Sequence, residues 1–202
     1  MYLKNSGEEI NAKVIIAHYN ENLDWCTNLK YPYQIISKQG IPTEIIPNKG
    51  NEASSYLYYI IEIYDNLSDY TIFIHGHRTD WHHTENIDER INNLEFKHRY
   101  YNINQINNKP MNITNLINFK ESYDNSKDEI LKIFNIVGIQ NINPSEIQYR
   151  ASAQFYVSTD LILRHSKEKY TELLNYLYNT KINSFWTGRF LNIFGILYLQ
   201  IF

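Results

Sequence analysis

Three short apolar runs, separated by polar turns, carry the clearest pattern in the first part of the chain. Lys13–His18 (KVIIAH) is β-branched and follows a polar start, which predicts a buried strand. Tyr19-Asn20-Glu21 is a polar turn behind it, and Asn22–Leu29 predicts one or two helical turns. Gln34–Ser37 (QIIS) predicts a second strand. Tyr70–His75 (YTIFIH) predicts a third, apolar on both faces as in the centre of a covered sheet.

Between and after these runs the spacing becomes helical. Asn51–Asn66 carries Leu57, Ile60, Ile61 and Tyr64 on one face, with Asn51 as the expected N-cap and Glu52 facing the helix dipole. Thr84–Phe96 places Ile87, Ile91 and Leu94 at helical spacing. Tyr101–Phe119, rich in Asn and Ile and interrupted by Pro110, predicts loops with a weak strand. Ser126-Lys127-Asp128-Glu129 is a capping box for a helix with Ile130, Ile133 and Phe134, ended by Gly138. Tyr149–Val157 alternates like a strand, and Ser158 opens a short helix. Ser166–Tyr178 predicts a helix with Tyr170, Leu173, Leu174 and Leu177 inward. Phe190–Phe202 reads as a final buried helix or strand.

Strand, helix, strand, helix, strand in that order argues a mainly parallel sheet covered by helices. With no internal repeat and no low-complexity linker, residues 1–202 are expected to form a single α/β domain. Ligands of such sheets sit outside the carboxyl ends of the strands. That rule draws attention to Tyr19–Glu21 and Gly76–His83.

Composition narrows the function classes. Aromatics reach 15%, with 18 tyrosines, which fits a core with a polar rim or a cleft. The net charge of −3 and the lack of a basic run argue against a nucleic-acid partner. Cys26 is the one cysteine, so an internal disulfide is impossible and a reducing compartment is favoured. Beside Trp25 it reads as a small buried hydrophobe. The polar start does not look like a secretory leader, and no apolar run reaches the roughly 18–20 residues that span a bilayer. The expected location is cytoplasmic, without a transmembrane segment.

Chemistry concentrates in His75-Gly76-His77-Arg78-Thr79-Asp80-Trp81-His82-His83, where four of the seven histidines lie. If strand geometry persists through Gly76, His75 and His77 project to one face, and with Asp80 they form a candidate set for a divalent metal. The alternative is a polar loop whose histidines only pack and hydrogen-bond. Tyr19-Asn20-Glu21 offers a carboxylate to a sugar or base edge, or is simply a helix-starting turn. Asn48-Lys49-Gly50-Asn51-Glu52 leads into a helix N-terminus that could hold phosphate, or is an ordinary capped start. It lacks the glycine spacing of a Walker or dinucleotide motif. In Arg150–Ser158 (RASAQFYVS), which we group with Trp186–Arg189, small residues would let a ligand or a packed backbone approach closely.

Several of these segments together resemble a known family. Ala17–Trp25 (AHYNENLDW) resembles its "RYNEDLSW" start, and Asn48–Leu67 its "N-x-G-x-E-x-x-x-Y-L-x-x-I" helix. Thr71–His77 (TIFIHGH) resembles "T-V-F-L-Q-G-H", and Ala153–Leu163 (AQFYVSTDLIL) the "A-Q-F-x-V-S" block. The family is catalogued only as a domain of unknown function, with members in fungi, bacteria and large DNA viruses. A viral origin would make the location host cytoplasm or virion.

The family's layout is in turn similar to Rossmann-like, GT-A type glycosyltransferases of nucleotide sugars. That similarity implies a donor site at Tyr19, Asn20, Glu21, Asn48 and Glu52, and an acceptor side at Gln154 and Arg189. His75, His77 and Asp80 would hold a divalent ion (Mn or Mg) or the diphosphate. His77, Asp80 and Arg189 would carry catalysis on a glycan or protein acceptor. Two features depart from the pattern: no Asp-x-Asp is present, and Gly188 stands where an acid would be the candidate base. A zinc-dependent hydrolase using the His-rich loop, or a binding relative without catalysis, are the alternatives.

Overall fold

A computed structural model describes residues 9–39, 44–80, 85–104, 111–112, 126–138, 148–149, 153–184 and 187–188. Its centre is a six-stranded mixed sheet in the order β3-β2-β1-β4-β8-β5. The strands are β1 (Ala12–His18), β2 (Tyr33–Ser37), β3 (Glu44–Ile45), β4 (Tyr70–His75), β5 (Tyr100–Asn102) and β8 (Phe155–Ser158). β6 (Met111–Asn112) and β7 (Gln148–Tyr149) pair apart from it as a small antiparallel ribbon. β1 is parallel to both β2 and β4, and β3 is parallel to β2. β8 runs antiparallel between β4 and β5. The sheet is therefore mixed, with its parallel part confined to β3, β2, β1 and β4.

β1 shows why the fold has three layers. Its side chains alternate in direction, and both faces are apolar. Ile15 and Ala17 join Ile36, Phe73, Phe155 and Val157 on one face. Two long helices cover that face: α1 (Asn51–Glu62) and α5 (Lys167–Asn179). Val14 and Ile16 join Ile72, Ile74 and Tyr156 on the other. There the cover is a 3-10 turn at Asp24–Asn28, which supplies Trp25 and Cys26, and the short α2 (Ile87–Asn92). Each such side chain taken out of water contributes about 1.5–3 kcal/mol. The remaining helices are α3 (Ser126–Ile136) and α4 (Thr159–Ile162). Among the described residues no helix is long and apolar enough to cross a membrane.

Most expected elements are present, with four differences. The helix expected over Asn51–Asn66 is α-helical to Glu62 and tightens to a 3-10 turn at Tyr64–Asn66. Its N-cap is Gly50 rather than Asn51, with no side-chain cap bond, and both residues have positive φ. Gly50 has no room for a side chain, because a Cβ there would meet Leu177 of α5 at 2.4 Å. The helix expected over Thr84–Phe96 is only the six-residue α2, although Ile87, Ile91 and Leu94 are all buried. The single strand expected over Tyr149–Val157 is divided between β7 and β8, in different sheets. Phe190–Phe202 lies outside the described residues.

Candidate functional site

The strand order places a crevice. From β1 the chain steps outward to β2 and β3, then returns through α1 to β4 on the other side of β1. Connections that leave in opposite directions open a gap at the carboxyl ends of the two strands between them, the usual ligand position in such sheets. A cleft of about 580 Å³ lies there, lined by residues that include His18, Tyr19, Glu21, Glu52, His75 and His77. Lys38, Asn48, Asn51, Asp80 and Ser184 complete its polar lining.

Register brings the two strand ends together: Ala17 of β1 pairs with His75 of β4. Beyond them Glu21 folds back over its own turn. Its Oε2 accepts N–H bonds from Tyr19 at 2.8 Å and Asn20 at 3.2 Å. Its Oε1 faces His77 Nε2 at 3.5 Å. A second pair stands beside the first, with His75 Nε2 at 3.4 Å from Asp80 Oδ2. The two imidazole rings are 5.4 Å apart, centroid to centroid, and inclined at 68°, edge to face. His75 and His77 thus share one side of the strand end, each with a carboxylate.

Gly76 makes this arrangement possible. A Cβ on it would lie 2.9 Å from Glu21 Oε2 and 3.0 Å from Glu21 Cδ. Its carbonyl accepts the indole N–H of buried Trp25 at 3.1 Å, which fixes the peptide from the opposite side. Arg78, one residue past His77, forks onto Asp88 of α2 with Nε–Oδ1 and Nη2–Oδ2 distances of 3.1 and 3.0 Å. Asn28 Nδ2 also donates to Asp88 Oδ2 at 2.9 Å, and the Ile87 N–H donates to the Arg78 carbonyl at 2.9 Å. Burial alone would push the Asp88 carboxyl up; the bonds from Arg78 and Asn28 outweigh it and hold it below its ordinary value.

The opposite wall carries Lys38, directly after β2. Its ammonium donates to the carbonyls of Lys49, at 3.1 Å, and Asn51, tying the end of β2 to the entry of α1. Burial pushes this lysine down to about 8, opposed in part by the charge of Glu52. His18, 6% exposed, is held by Ser37 Oγ at 2.9 Å through Nδ1 and by the Glu21 carbonyl at 3.3 Å through Nε2.

Of the sequence-derived candidates, Tyr19, Glu21, Asn48, Glu52, His75, His77 and Asp80 all line the cleft. Asn20 contributes through its backbone N–H to Glu21. Gln154 is fully buried at the start of β8, beside the end of β4, and its amide donates to Asn104 Oδ1 at 3.0 Å. Its place is thus inside the sheet edge rather than on the cleft surface. Arg189, and with it Trp81, His82, His83, Arg150 and Trp186, lies outside the described residues. Gly188 is buried against the α1 entry, where a Cβ would stand 2.9 Å from Asn51 Cβ. For a metal ion the donors form two imidazole–carboxylate pairs; among the described residues no three His, Cys, Asp or Glu side chains converge on one point. Cys26 is buried, and burial pushes its thiol up to about 12, as a core hydrophobe would have it.

Sequence reasoning missed His18, Lys38 and Ser184. The first two were within reach. Each polar residue at or just past the carboxyl end of a parallel strand belongs to the working edge, and that rule selects His18 and Lys38 as readily as Glu21.

A family model described as a protein of unknown function, DUF3431, matches residues 14–200, which takes in every residue named as lining the cleft. No curated protein and no solved structure matches the chain.

Proposed function

The chain belongs to the DUF3431 family, and we propose that its cleft binds a nucleotide sugar and that the protein is glycosyltransferase-like, of the GT-A type. The observation that carries this reading is the meeting of Glu21 and His77 at 3.5 Å across the gap between β1 and β4. The likeness to those transferases rests on a strand ending in an Asn-Glu turn, a neighbouring strand ending in ligand-type side chains and a late FYVS strand beside them. That likeness is one of layout, and the polar cleft at the carboxyl ends of β1 and β4 is what supports carrying it to this chain.

In this reading Tyr19, Asn20, Glu21, Asn48 and Glu52 form the donor side. Sugar transfer requires an acceptor hydroxyl to lose a proton as it attacks the anomeric carbon and the diphosphate leaves. His77, 54% exposed with Glu21 behind it, has the access and the orienting partner that a proton acceptor needs. His75 and Asp80 form a second pair beside it. Arg189 would complete the acceptor side, and Gln154 braces the Asn104 segment through its amide. Gly188 removes the expected carboxylate base, which leaves His77 as the base of this chain.

Thermal unfolding with uridine and guanosine diphosphates and their sugars, each in chelator and in manganese or magnesium, tests the reading. A ligand present at about 100 times its Kd adds about 2.7 kcal/mol to the folded state, which raises the midpoint visibly. No rise with any nucleotide under any condition counts against the proposal. Stoichiometric zinc in untagged protein together with no nucleotide effect would favour a metal-dependent hydrolase. Nucleotide binding without turnover would mark a binding relative that has lost catalysis.

A further inference from the structure

A diphosphate brings two or more negative charges into a cleft that already holds Glu21, Glu52 and Asp80. Some group must answer that charge. The donor set for an ion is divided: Glu21 is turned to His77 and to its own backbone, with His18 Nε2 3.9 Å from its other oxygen and itself held by Ser37, Asp80 is turned to His75, and among the described residues no three such side chains form a group that could hold an ion. Lys38 is the one lysine or arginine among the described residues lining the cleft.

The setting of Lys38 is unusual for a lysine. Among the described residues it is not paired to a carboxylate by a direct bond. Two backbone carbonyls, of Lys49 and Asn51, take two of its three N–H groups. Among the described residues no acceptor is bonded to the third N–H, which leaves it for a ligand, and the two carbonyls fix where it can be. The backbone N–H of Lys38 donates to the His18 carbonyl at 3.0 Å, so the residue is anchored to the end of β1 as well. Its charge is desolvated, which is why it loses its proton near 8. An anion arriving beside such a cation relieves that cost, and it forms a stronger hydrogen bond there than with a solvated lysine.

We propose that Lys38 is the cation of a diphosphate subsite that binds its ligand without a divalent metal ion. The inference rests on the nucleotide-sugar reading and adds to it the group that meets the diphosphate. It assigns Lys38 to ligand contact and the imidazole–carboxylate pairs to the sugar and acceptor side.

Calorimetric titration tests it with two probes, inorganic pyrophosphate and uridine diphosphate, each in chelator and in manganese. The proteins are wild type, Lys38→Met and Lys38→Arg. Both probes should bind wild type in chelator, with manganese changing the affinity by less than about threefold. Loss of one charged hydrogen bond should weaken both probes by about tenfold or more in Lys38→Met. Lys38→Arg keeps the charge and should recover most of the loss, which a role limited to bracing the loop would not require. Binding that appears only with manganese, or Lys38→Met binding as wild type does, overturns the inference. Weak binding by both variants, each with a native unfolding midpoint, also overturns it, because charge then does not matter. Pyrophosphate binding through Lys38 with no nucleotide binding upholds the subsite and defeats the nucleotide-sugar reading. Nucleotide binding only as its manganese complex does the reverse.

Discussion

Glu21 Oε1 lies 3.5 Å from His77 Nε2, while the other oxygen of the same carboxylate is bound by two N–H groups of its own turn. The carboxylate is thereby fixed by local backbone before it meets the histidine, and its side chain is only 12% exposed. A group held this way does not need the ligand to order it, so its contribution to binding carries little entropic cost.

Gly76 is the position at which that pairing can be broken with one methyl group. An alanine there would place its Cβ 2.9 Å from Glu21 Oε2, within the carboxylate's present place. Gly76→Ala is expected to cost about 1–3 kcal/mol of stability, the usual range for overpacking, and to remove most of the nucleotide-induced thermal shift. Urea denaturation and the nucleotide panel read the two effects separately. An unchanged nucleotide shift in a destabilised Gly76→Ala protein would show that Glu21 is not needed where it stands.

His77 should behave in the opposite way. With 54% of its side chain exposed, it adds little to the fold. His77→Ala is expected to change stability by no more than about 0.5 kcal/mol, as surface replacements usually do, and to abolish transfer while weakening nucleotide binding. The check is turnover and the nucleotide shift measured on one preparation. A stable variant with wild-type turnover would remove His77 from the chemistry.

Asp88 gives a pH dependence with a defined sign. Its carboxyl is held below its ordinary value in the folded chain, so the folded state binds fewer protons than the unfolded one near that pH. Its contribution is complete above the unfolded value, about 3.9, and is lost as the pH falls through the lower folded value. Asp88→Asn removes the titrating group. The stability advantage of wild type over Asp88→Asn should therefore be full at about pH 6 and shrink towards about pH 3, in urea titrations at a series of pH values. An advantage that stays constant across that range would mean that the Arg78–Asp88 bridge does not carry the shift.

Legibility in the sequence followed local determinacy. β4 is found where YTIFIH places it, and β1 within a residue, because β-branched runs bounded by polar turns have few other uses. The inward face of α5 was equally plain from Tyr170, Leu173, Leu174 and Leu177. What could not be read locally was β8. FYVS is a good strand in either direction, and only the sheet decides that it runs antiparallel between β4 and β5. Asn51 illustrates the same limit at one residue: it is a favoured cap by type, yet the contact of Gly50 with Leu177, far along the chain, sets the geometry of that entry. In the site, Glu21 and the histidines were legible because they follow strands, whereas the tie from Lys38 to the Asn51 carbonyl depends on a loop closing back onto β2.

The face of α1 offers a test of the core beneath the cleft. Leu57, Tyr56 and Ile60 are buried there, while Glu62 is exposed. Leu57→Ala is expected to cost about 2–5 kcal/mol through lost burial and the cavity left behind, and Glu62→Ala less than about 0.5 kcal/mol. Denaturant titration of the pair decides it. Equal effects at the two positions would mean that α1 does not pack in this register.

Gly188 stands against the α1 entry, its absent Cβ 2.9 Å from both Asn51 Cβ and Asn51 Nδ2 and 3.0 Å from the Gly50 carbonyl oxygen. The carbonyl of Asn51 is in turn an anchor of Lys38. Residue 188 and the left-handed turn at 50–51 are therefore not independent characters: a descendant could acquire an acid at 188 only after, or together with, a change in the turn. A substitution at that single position would meet an epistatic barrier. It would dislodge the peptide that orients the cleft's lysine before the new carboxylate could be of use.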